Sequence, residues 1–320
     1  LAKNRVQRGE GISRAEYEDP LDRRFHAEPT ACPACGPRLR LTDALGKELI
    51  RDGSAGLIQY ARGLLLRGRI VVVKGLGGFH LACDGLDARA VAELRRRKHR
   101  EEKPFALMAP SVAVVRDFCV VSAAEEELLL SRRRPIVLLE KRPKAAIPEE
   151  VAPGVARLGF LLPYTPLHHL LFETLDRPLV MTSGNIPDEP ICYDDDDAAQ
   201  RLSPVADYFL SHDRRIHMRV DDSVARVETG RESVLRRARG YAPAPLKTAF
   251  RFHRQVLACG AELKSTLCLA REDSAFVSHH IGDLENLETL RSFSEGIEHY
   301  ERLFELHPEV VACDLHPEYL

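Results

Sequence analysis

The sequence contains no tryptophan and only three methionines. Its first residues do not have the pattern of a secretory signal, so none is expected there. It has no run of about 18 apolar residues, which a membrane-crossing helix would need, so a membrane protein is not expected. The 46 Lys and Arg residues nearly balance the 48 Asp and Glu residues. An overall positive field of the kind that attracts nucleic acid is therefore absent, and a nucleic-acid partner is not expected. Eight cysteines are too few for a disulfide scaffold and fit a reducing cytoplasm.

The rest of the composition is typical of a globular protein, with 44% hydrophobic and 29% charged residues. The 320 residues suffice for two domains, since a domain has roughly 150 residues. The chain begins with Leu1 rather than methionine, and its last residues follow a strand-like run. We therefore expect a piece of a longer protein.

Residues 51–247 are expected to form one α/β domain, because helix-like and strand-like segments alternate there without an internal repeat. A helix is predicted after Asp52 and Ser54. Its buried face comprises Leu57, Ile58, Ala61, Leu64 and Leu65. A second helix is predicted over Asp87–Arg100. The predicted strands are Ile70–Val73, Ile136–Leu139, Leu179–Met181, Asp221–Val227 and Val234–Arg239.

Residues 248–320 show a new pattern and are expected to open a second domain. Pro243, Pro245 and the basic stretch Lys247–Arg254 are typical of a linker between the two. The predicted elements are a strand, a hairpin turn, an amphipathic helix and a last strand, over Val256–Glu262, Arg271–Ser274, Leu287–Leu303 and Val310–Cys313.

A basic run closes the helix predicted over Asp87–Arg100. Six cations lie between Arg95 and Lys103. One interpretation is a solvated face that suits the negative end of the helix dipole. The other is a phosphate clamp, because guanidinium and ammonium groups bind polyphosphate well. The residues alone leave both interpretations open.

Three further segments could line a ligand site. Lys74–Gly78 is a glycine-rich loop after a strand, where a ligand can approach the backbone closely, but it matches no standard nucleotide fingerprint. Thr182–Pro187 places small polar side chains at a strand end, which suits a pocket floor or an ordinary turn. Arg236–Pro243 could supply cations to a phosphate site or form a surface strand edge. The acidic run Asp194–Asp197 is better interpreted as a helix start than as a metal site.

The segment 1–50 carries one metal-like motif. Cys32 and Cys35 form a CxxC knuckle followed by Gly36, which is the geometry of half a tetrahedral zinc site. A second pair usually lies some 15–20 residues away, and no such pair occurs. Two interpretations of the motif therefore remain open, half a zinc site and a turn without metal.

The order of these motifs resembles that of the carbamoyltransferase HypF family. The resemblance covers about residues 16 to 320. The strings that carry it are YEDPLDRRFHAEPTACPACGPRL, VKGLGGFHLACD, RRRKHREEKPFALM, LGFLLPYTPLHHLL, MTSGNIPDEPI, HMRVDDSV, RRARGYAP, GAELKSTLCLA and SHHIGDLENLET. The resemblance implies a zinc-finger remnant over 1–50 and a YrdC-like domain with a mixed twisted sheet and helices over 51–247. It also implies the opening part of an actin-like (ASKHA) TsaD-type domain over 248–320.

The resemblance also implies a function. The family makes the cyanide ligands of [NiFe]-hydrogenase: carbamoyl phosphate gives carbamate, the YrdC-like domain adenylates carbamate with ATP and Mg²⁺, and the TsaD-like domain passes the carbamoyl group to a C-terminal cysteine of the partner HypE. This chain is then expected to perform the adenylation half-reaction. The metal-binding histidines of the transfer site would lie beyond Leu320.

The family's motifs imply roles for particular residues. The resemblance makes Lys98 and Arg100 the catalytic pair that holds the triphosphate and steadies charge at the α-phosphate. The expected nucleotide-binding residues are Lys74, Gly75, Gly77, Gly78, Ser183, Asn185, Arg237 and Arg239. Two alternative functions remain, a threonylcarbamoyl-adenylate synthase for tRNA modification and a non-catalytic RNA-binding module.

Overall fold

The computed structural model describes residues 18–22, 36–49, 53–187 and 189–316. The α-helices within them are α1 (Ser54–Leu66), α2 (Ala88–Arg97), α3 (Val112–Phe118), α4 (Ala123–Leu130), α5 (Pro166–Phe172), α6 (Asp195–Leu202) and α7 (Leu287–Phe304), with a short 3-10 helix at Glu149–Val151. None of the helices in the described part of the chain is both long and apolar enough to cross a membrane.

The strands fall into two sheets. They are β1 (Leu39–Asp43), β2 (Val71–Lys74), β3 (Phe79–Asp84), β4 (Ala106–Met108), β5 (Ile136–Glu140), β6 (Arg157–Leu161), β7 (Leu179–Ser183), β8 (Tyr208–His212), β9 (Val224–Glu228), β10 (Arg231–Arg236), β11 (Leu246–Cys259), β12 (Leu267–Val277) and β13 (Val310–Ala312). The large sheet has the order β1-β8-β2-β3-β7-β4-β6-β5-β9-β10, and the small one has the order β12-β11-β13. Parallel and antiparallel pairs alternate irregularly in the large sheet, which is therefore mixed as expected.

The large sheet separates two hydrophobic cores. Successive side chains of a strand point to opposite faces, and on β2 Val72 belongs to one core while Val71 and Val73 belong to the other. Helix α1 covers the second core with the five apolar residues predicted from their spacing, all of them buried. Helix α2 covers the first core with Ala90, Val91 and Leu94.

The small sheet packs against helix α7 and forms a third core. Phe293 and Tyr300 of the helix meet Leu267 and Leu269 of β12. The amphipathic helix and the last strand predicted for this region are confirmed.

Two predictions about residues 246–277 are wrong. The stretch expected as a linker, Lys247–Arg254, is the first half of the long strand β11. The expected turn at Arg271–Ser274 lies inside the continuous strand β12, which pairs with β11 through register shifts. Both segments are rich in charged residues, which led the sequence analysis to interpret them as a linker and a turn. In the structure, pairs such as Lys247 and Asp273 (2.8 Å) form ion pairs across the sheet. Glu272 has φ of 52° and marks the local irregularity that mimicked a turn.

Candidate functional site

A cleft of about 370 Å³ runs across the neighbouring strands β3, β7, β4, β6, β5, β9 and β10. On β5, Val137 and Leu139 point into the first core, so Ile136 and Leu138 point the other way and line the cleft. The cleft therefore lies on the sheet face opposite the first core. Its polar lining residues are His80, Arg100, Lys103, Arg157, Thr182, Ser183, Asp221, Asp222 and Arg236.

Four cations on the wall make the cleft suited to an anion. They are Arg100, Lys103, Arg157 and Arg236. The Arg100 guanidinium is held by the carbonyl oxygens of Lys103 (2.9 Å) and Pro104 (2.5 Å) and lies over the Phe105 ring. Burial, and then the charges of Arg95 and Arg236, lower the pKa of Arg100 to about 10. Positive charges placed this close to one another favour a bound polyanion.

Lys98 lies behind this wall rather than on it. Its side chain is 4% exposed, and its Nζ donates to the carbonyl oxygens of Ser183 (2.6 Å) and Asn185 (2.8 Å) and to Asn185 Oδ1 (2.6 Å). These three acceptors match the three protons of an ammonium group. Burial, followed by the charge of Arg100, lowers the pKa of Lys98 to about 7. Lys98 therefore fixes the segment after β7 that carries Ser183 and Asn185.

Three other arginines of the basic run bond to neighbouring parts of the protein and do not line the cleft. Arg95 is buried and donates to backbone carbonyls of the loop after α2, including those of Arg100 (2.9 Å) and Glu101 (3.1 Å). Arg96 and Arg97 pair with Glu93 at 2.7 Å, outside the cleft. Of the six cations, Arg100 and Lys103 are the two that line the cleft described here, and phosphate binding by them stays a prediction.

The predicted pair Ser183 and Asn185 is internally bonded. Ser183 Oγ donates to Asn185 Oδ1 at 2.7 Å, and Asn185 Nδ2 donates to the carbonyl oxygen of Glu189 at 2.7 Å. Ser183 lines the cleft, whereas Asn185 does not contribute to its lining. On the neighbouring strand His80 lies opposite Ser183 in register. The structure therefore brings Lys98, Ser183 and Asn185 together beside the cleft. Nucleotide contact by these residues stays a prediction.

The glycine-rich loop lies next to the cleft but does not line it. A side chain at Gly77 would collide with the carbonyl oxygen of Val220, and one at Gly78 would lie 2.6 Å from Ile191. These glycines therefore allow the chain to pack closely against itself. Lys74 is buried and pairs with Asp195 at 2.6 Å and with the His212 carbonyl at 2.9 Å. Nucleotide contact by Lys74, Gly75, Gly77 and Gly78 stays a prediction.

The three arginines at the end of β10 and just after it make different contacts. Arg237 donates to the carbonyl of Ala244 at 2.6 Å and does not line the cleft. Arg239 donates through Nε to Asp222 Oδ1 at 2.8 Å, and it lies over the Tyr164 ring. Arg236, which the sequence analysis did not select from this segment, is the one that lines the cleft. Nucleotide contact by Arg237 and Arg239 also stays a prediction.

A polar cluster of four residues lies beside Ser183, and two of its members, His80 and Asp222, line the cleft. It consists of His80, Tyr164, Asp222 and Arg239, which we call the floor cluster. His80 Nε2 lies 3.1 Å from Asp222 Oδ2 and 3.4 Å from the Tyr164 hydroxyl. Burial would raise the pKa of Asp222, but the charge of Arg239 and the bond with His80 hold it well below its usual range. Asp222 is therefore an ionised carboxylate at neutral pH.

Sequence reasoning missed His80, Asp221 and Asp222 as site residues. The motif HMRVDDSV was noticed for its family pattern, but nothing in its local sequence shows that the two aspartates face a cleft. His80 carried a detectable signal, since it follows the glycine-rich loop and alternates with the apolar Phe79 and Leu81. Only the pairing of β3 with β7 brings it beside Ser183.

The described residues contain no group of three or more His, Cys, Asp or Glu side chains arranged to hold a metal ion. Cys32 and Cys35 lie outside the described residues. Magnesium is usually held by one or two carboxylates together with substrate phosphates. Asp221 fits that role, because it lines the cleft and is less occupied than Asp222, pairing with His280 at 3.3 Å.

Three family models match the chain. Residues 63–238 match the Sua5/YciO/YrdC family, described as telomere recombination, residues 251–320 match the HypF Kae1-like domain, and residues 14–42 match the HypF finger. The mixed sheet shares its fold with Pyrococcus abyssi Sua5 complexed with L-threonine, at a TM-score of 0.54 and 15% identity over 84% of this chain and 92% of that one.

Longer relatives match almost the whole chain. A protein from Rhodobacter capsulatus named carbamoyltransferase HypF is 49% identical over 96% of this chain and 40% of its own length. A crystal structure of full-length HypF in the phosphate- and nucleotide-bound form superposes with a TM-score of 0.89 at 47% identity, over 96% of this chain and 40% of that one. The crystal structure of HypF from T. kodakarensis gives a TM-score of 0.90 at 42% identity, over 97% of this chain and 40% of that one. The chain thus spans about two fifths of the length of these relatives, and it belongs to the carbamoyltransferase HypF family.

Proposed function

We propose that the cleft binds ATP with Mg²⁺ and forms carbamoyl-adenylate from carbamate. The observation that carries this proposal is the convergence of Arg100, Lys103, Arg157 and Arg236 on one cleft whose floor carries Ser183. Four cations around a cavity of about 370 Å³ suit a nucleotide polyphosphate. The nucleotide-bound state of a HypF crystal structure supports the same interpretation.

The reaction would need positioning and charge rather than a covalent nucleophile. A carboxylate oxygen of carbamate attacks the α-phosphorus, an O–P bond forms, the bond to the β-phosphate bridging oxygen breaks, and pyrophosphate leaves. Negative charge builds on the phosphate oxygens in the transition state, where Arg100 and Arg236 would stabilise it. Lys98 would act by fixing the Ser183–Asn185 segment, and Asp221 would take part in holding Mg²⁺.

The whole-protein steps belong to the same proposal. Carbamate would derive from carbamoyl phosphate, and the carbamoyl group would pass to the C-terminal cysteine of HypE for cyanide-ligand synthesis in the cytoplasm. The match of residues 14–42 to the HypF finger supports zinc binding by Cys32 and Cys35. The division into 1–50, 51–247 and 248–320 remains part of this proposal.

The test is adenylate formation by the purified chain. The protein is mixed with ATP and Mg²⁺ in ammonium bicarbonate, which supplies carbamate, and a parallel reaction adds threonine. Pyrophosphate release is followed, and the adenylate is identified by mass spectrometry. Arg100→Gln with Arg236→Gln is expected to lower the rate at least 100-fold, because each removes a desolvated phosphate contact. Arg96→Gln, whose side chain pairs with Glu93 outside the cleft, is the matched control.

Each result has one meaning. Carbamoyl-adenylate in the first reaction supports the proposal. Threonylcarbamoyl-adenylate in the second would instead favour a synthase that acts in tRNA modification. Neither product from a folded chain would contradict adenylation, and an RNA-binding assay would then examine the remaining alternative.

A further inference from the structure

The floor cluster contains a carboxylate that the adenylation proposal leaves without a role. Arg239 donates to Asp222 Oδ1 through both Nη2 (2.7 Å) and Nε (2.8 Å), and His80 Nε2 lies 3.1 Å from Oδ2. A carboxylate oxygen accepts about two hydrogen bonds, so the remaining acceptor capacity is on Oδ2. Asp222 lines the cleft, and 9% of its side chain is exposed there. The carboxylate of Asp222 therefore borders the cavity that Ser183 also lines.

The hydrogen-bonding role of this group follows from its partners. Asp222 forms an ion pair with the Arg239 guanidinium at 2.7 Å, and a carboxylate paired in this way accepts hydrogen bonds and donates none. The positive charge of Arg239 also offsets the negative charge, so that an anionic substrate is not strongly repelled. Of the cleft's two aspartates, Asp221 is directed toward His280 at the junction with the small sheet, whereas Asp222 adjoins His80 and thus the Ser183 strand.

Carbamate has two chemically different ends. Its carboxylate end must meet the α-phosphate and the wall cations, and its amino end carries two N–H donors. A site that hydrogen-bonds such donors discriminates strongly against an isostere that lacks them, because its own polar groups would be left unpaired. Acetate is such an isostere, with a methyl group in place of the amino group.

We propose that Asp222 accepts a hydrogen bond from the amino group of carbamate and so determines the cleft's specificity for it. His80 and Arg239 act as positioning residues that orient the carboxylate. This inference rests on the proposed adenylation, and it adds the residue that distinguishes carbamate from other small carboxylates.

The experiment compares carbamate with acetate in the purified chain. The kcat/KM of adenylate formation is measured for each by pyrophosphate release, with mass spectrometry of the adenylate, for wild type and Asp222→Asn. Arg239 would draw the amide oxygen of the asparagine toward itself, so its NH₂ group would present donors where carbamate needs an acceptor. We expect kcat/KM for carbamate to fall about 10- to 100-fold, with acetate and the Kd of ATP within about twofold of wild type.

The matched control is Asp84→Asn. Asp84 is likewise a buried aspartate in an arginine ion pair, at 2.8 Å from Arg177, but it lies away from the cleft lining. Asp84→Asn should lower the melting temperature without changing the ratio of kcat/KM for carbamate to kcat/KM for acetate. His80→Gln retains a donor to Asp222 and should leave this ratio unchanged. His80→Phe removes that donor and should lower the ratio. This second pair decides the question if Asp222→Asn fails to fold.

Equal losses for carbamate and acetate in Asp222→Asn, or the same change of ratio in Asp84→Asn, would overturn the inference while leaving adenylation intact. A wild-type chain that forms no carbamoyl-adenylate overturns the proposed function and this inference with it. The inference is supported if the carbamate-to-acetate ratio of kcat/KM falls in Asp222→Asn and His80→Phe and stays unchanged in His80→Gln and Asp84→Asn.

Discussion

At the scale of single residues, the basic run shows how neighbouring cations acquire different tasks. Arg95 supports a loop, Lys98 supports the segment after β7, and Arg100 reaches the cleft. Their charges are alike, but their surroundings differ because α2 ends at Arg97 and the chain then turns away from the helix axis. A guanidinium or ammonium group bonds whatever oxygen its position offers.

Lys98 gives a pH prediction that does not depend on any ligand. Its pKa is about 7 in the folded protein and 10.5 as an ordinary lysine. Between these values the unfolded chain binds more protons than the folded one, so the free energy of unfolding should rise with pH. Between pH 7 and 10, we expect the free energy of unfolding of the wild type to rise by up to about 1.4 kcal/mol per pH unit relative to that of Lys98→Met.

Urea unfolding at several pH values measures this difference. Lys98→Met is the reference, because it removes the titrating group and keeps the apolar stem. Parallel curves for the two proteins would mean that the three oxygens around Nζ keep Lys98 charged throughout the range.

At the scale of elements, helix α2 is the support that delivers the loop residues to the cleft. Its apolar side chains fix it on the first core, and the N-cap Asp87 accepts from the backbone N–H groups of Arg89 (3.0 Å) and Ala90 (3.3 Å). The cap lies at the end of the helix opposite Lys98 and Arg100. A mutation of the N-cap should therefore change the stability of the protein without changing ligand binding in the cleft.

Asp87→Ala should lower the free energy of unfolding by about 1 kcal/mol, because two N–H groups lose their acceptor. Asp87→Asn should be close to wild type, since asparagine caps helices as well as aspartate does. Chemical denaturation measures both. The Kd of ATP should stay unchanged in each variant, and a cap loss that also weakened ATP binding would show that α2 and the cleft are coupled.

The elements also show where periodicity is informative. The buried face of α1 and the strands β2, β5 and β7 follow from the spacing and runs of apolar residues, because each of these elements packs apolar side chains into a hydrophobic core. The acidic run begins α6 with Asp194 as N-cap, as predicted. In contrast, β11 is exposed along most of its length, so burial leaves no alternating pattern on it.

At the scale of the whole molecule, the small sheet leaves the strand β13 at an edge. β13 pairs only with β11 among the described strands, and Val311 is 62% exposed. An apolar strand edge with unpaired backbone groups favours pairing with another chain. We expect this polypeptide to associate in a concentration-dependent way.

Size-exclusion chromatography with light scattering over a range of concentrations tests this expectation. Val311→Lys should reduce association, because edge lysines oppose strand pairing. Leu45→Lys is the control, since Leu45 is 94% exposed but lies in a turn next to the large sheet. A wild-type chain that elutes as a monomer at every concentration would contradict the prediction.

The sequence by itself determined the class of the fold and most of the buried segments, because apolar periodicity is a local property. Ser183 and Arg100, which the family resemblance selected, line the cleft, and their contact with a nucleotide stays a prediction. Only the tertiary structure decided that Arg236 rather than Arg237 or Arg239 lines the cleft, and that His80 and Asp222 meet beside Ser183. The physical reason is that these residues come from strands and loops distant in sequence, and strand pairing and side-chain alternation, which local patterns do not fix here, direct them to one place.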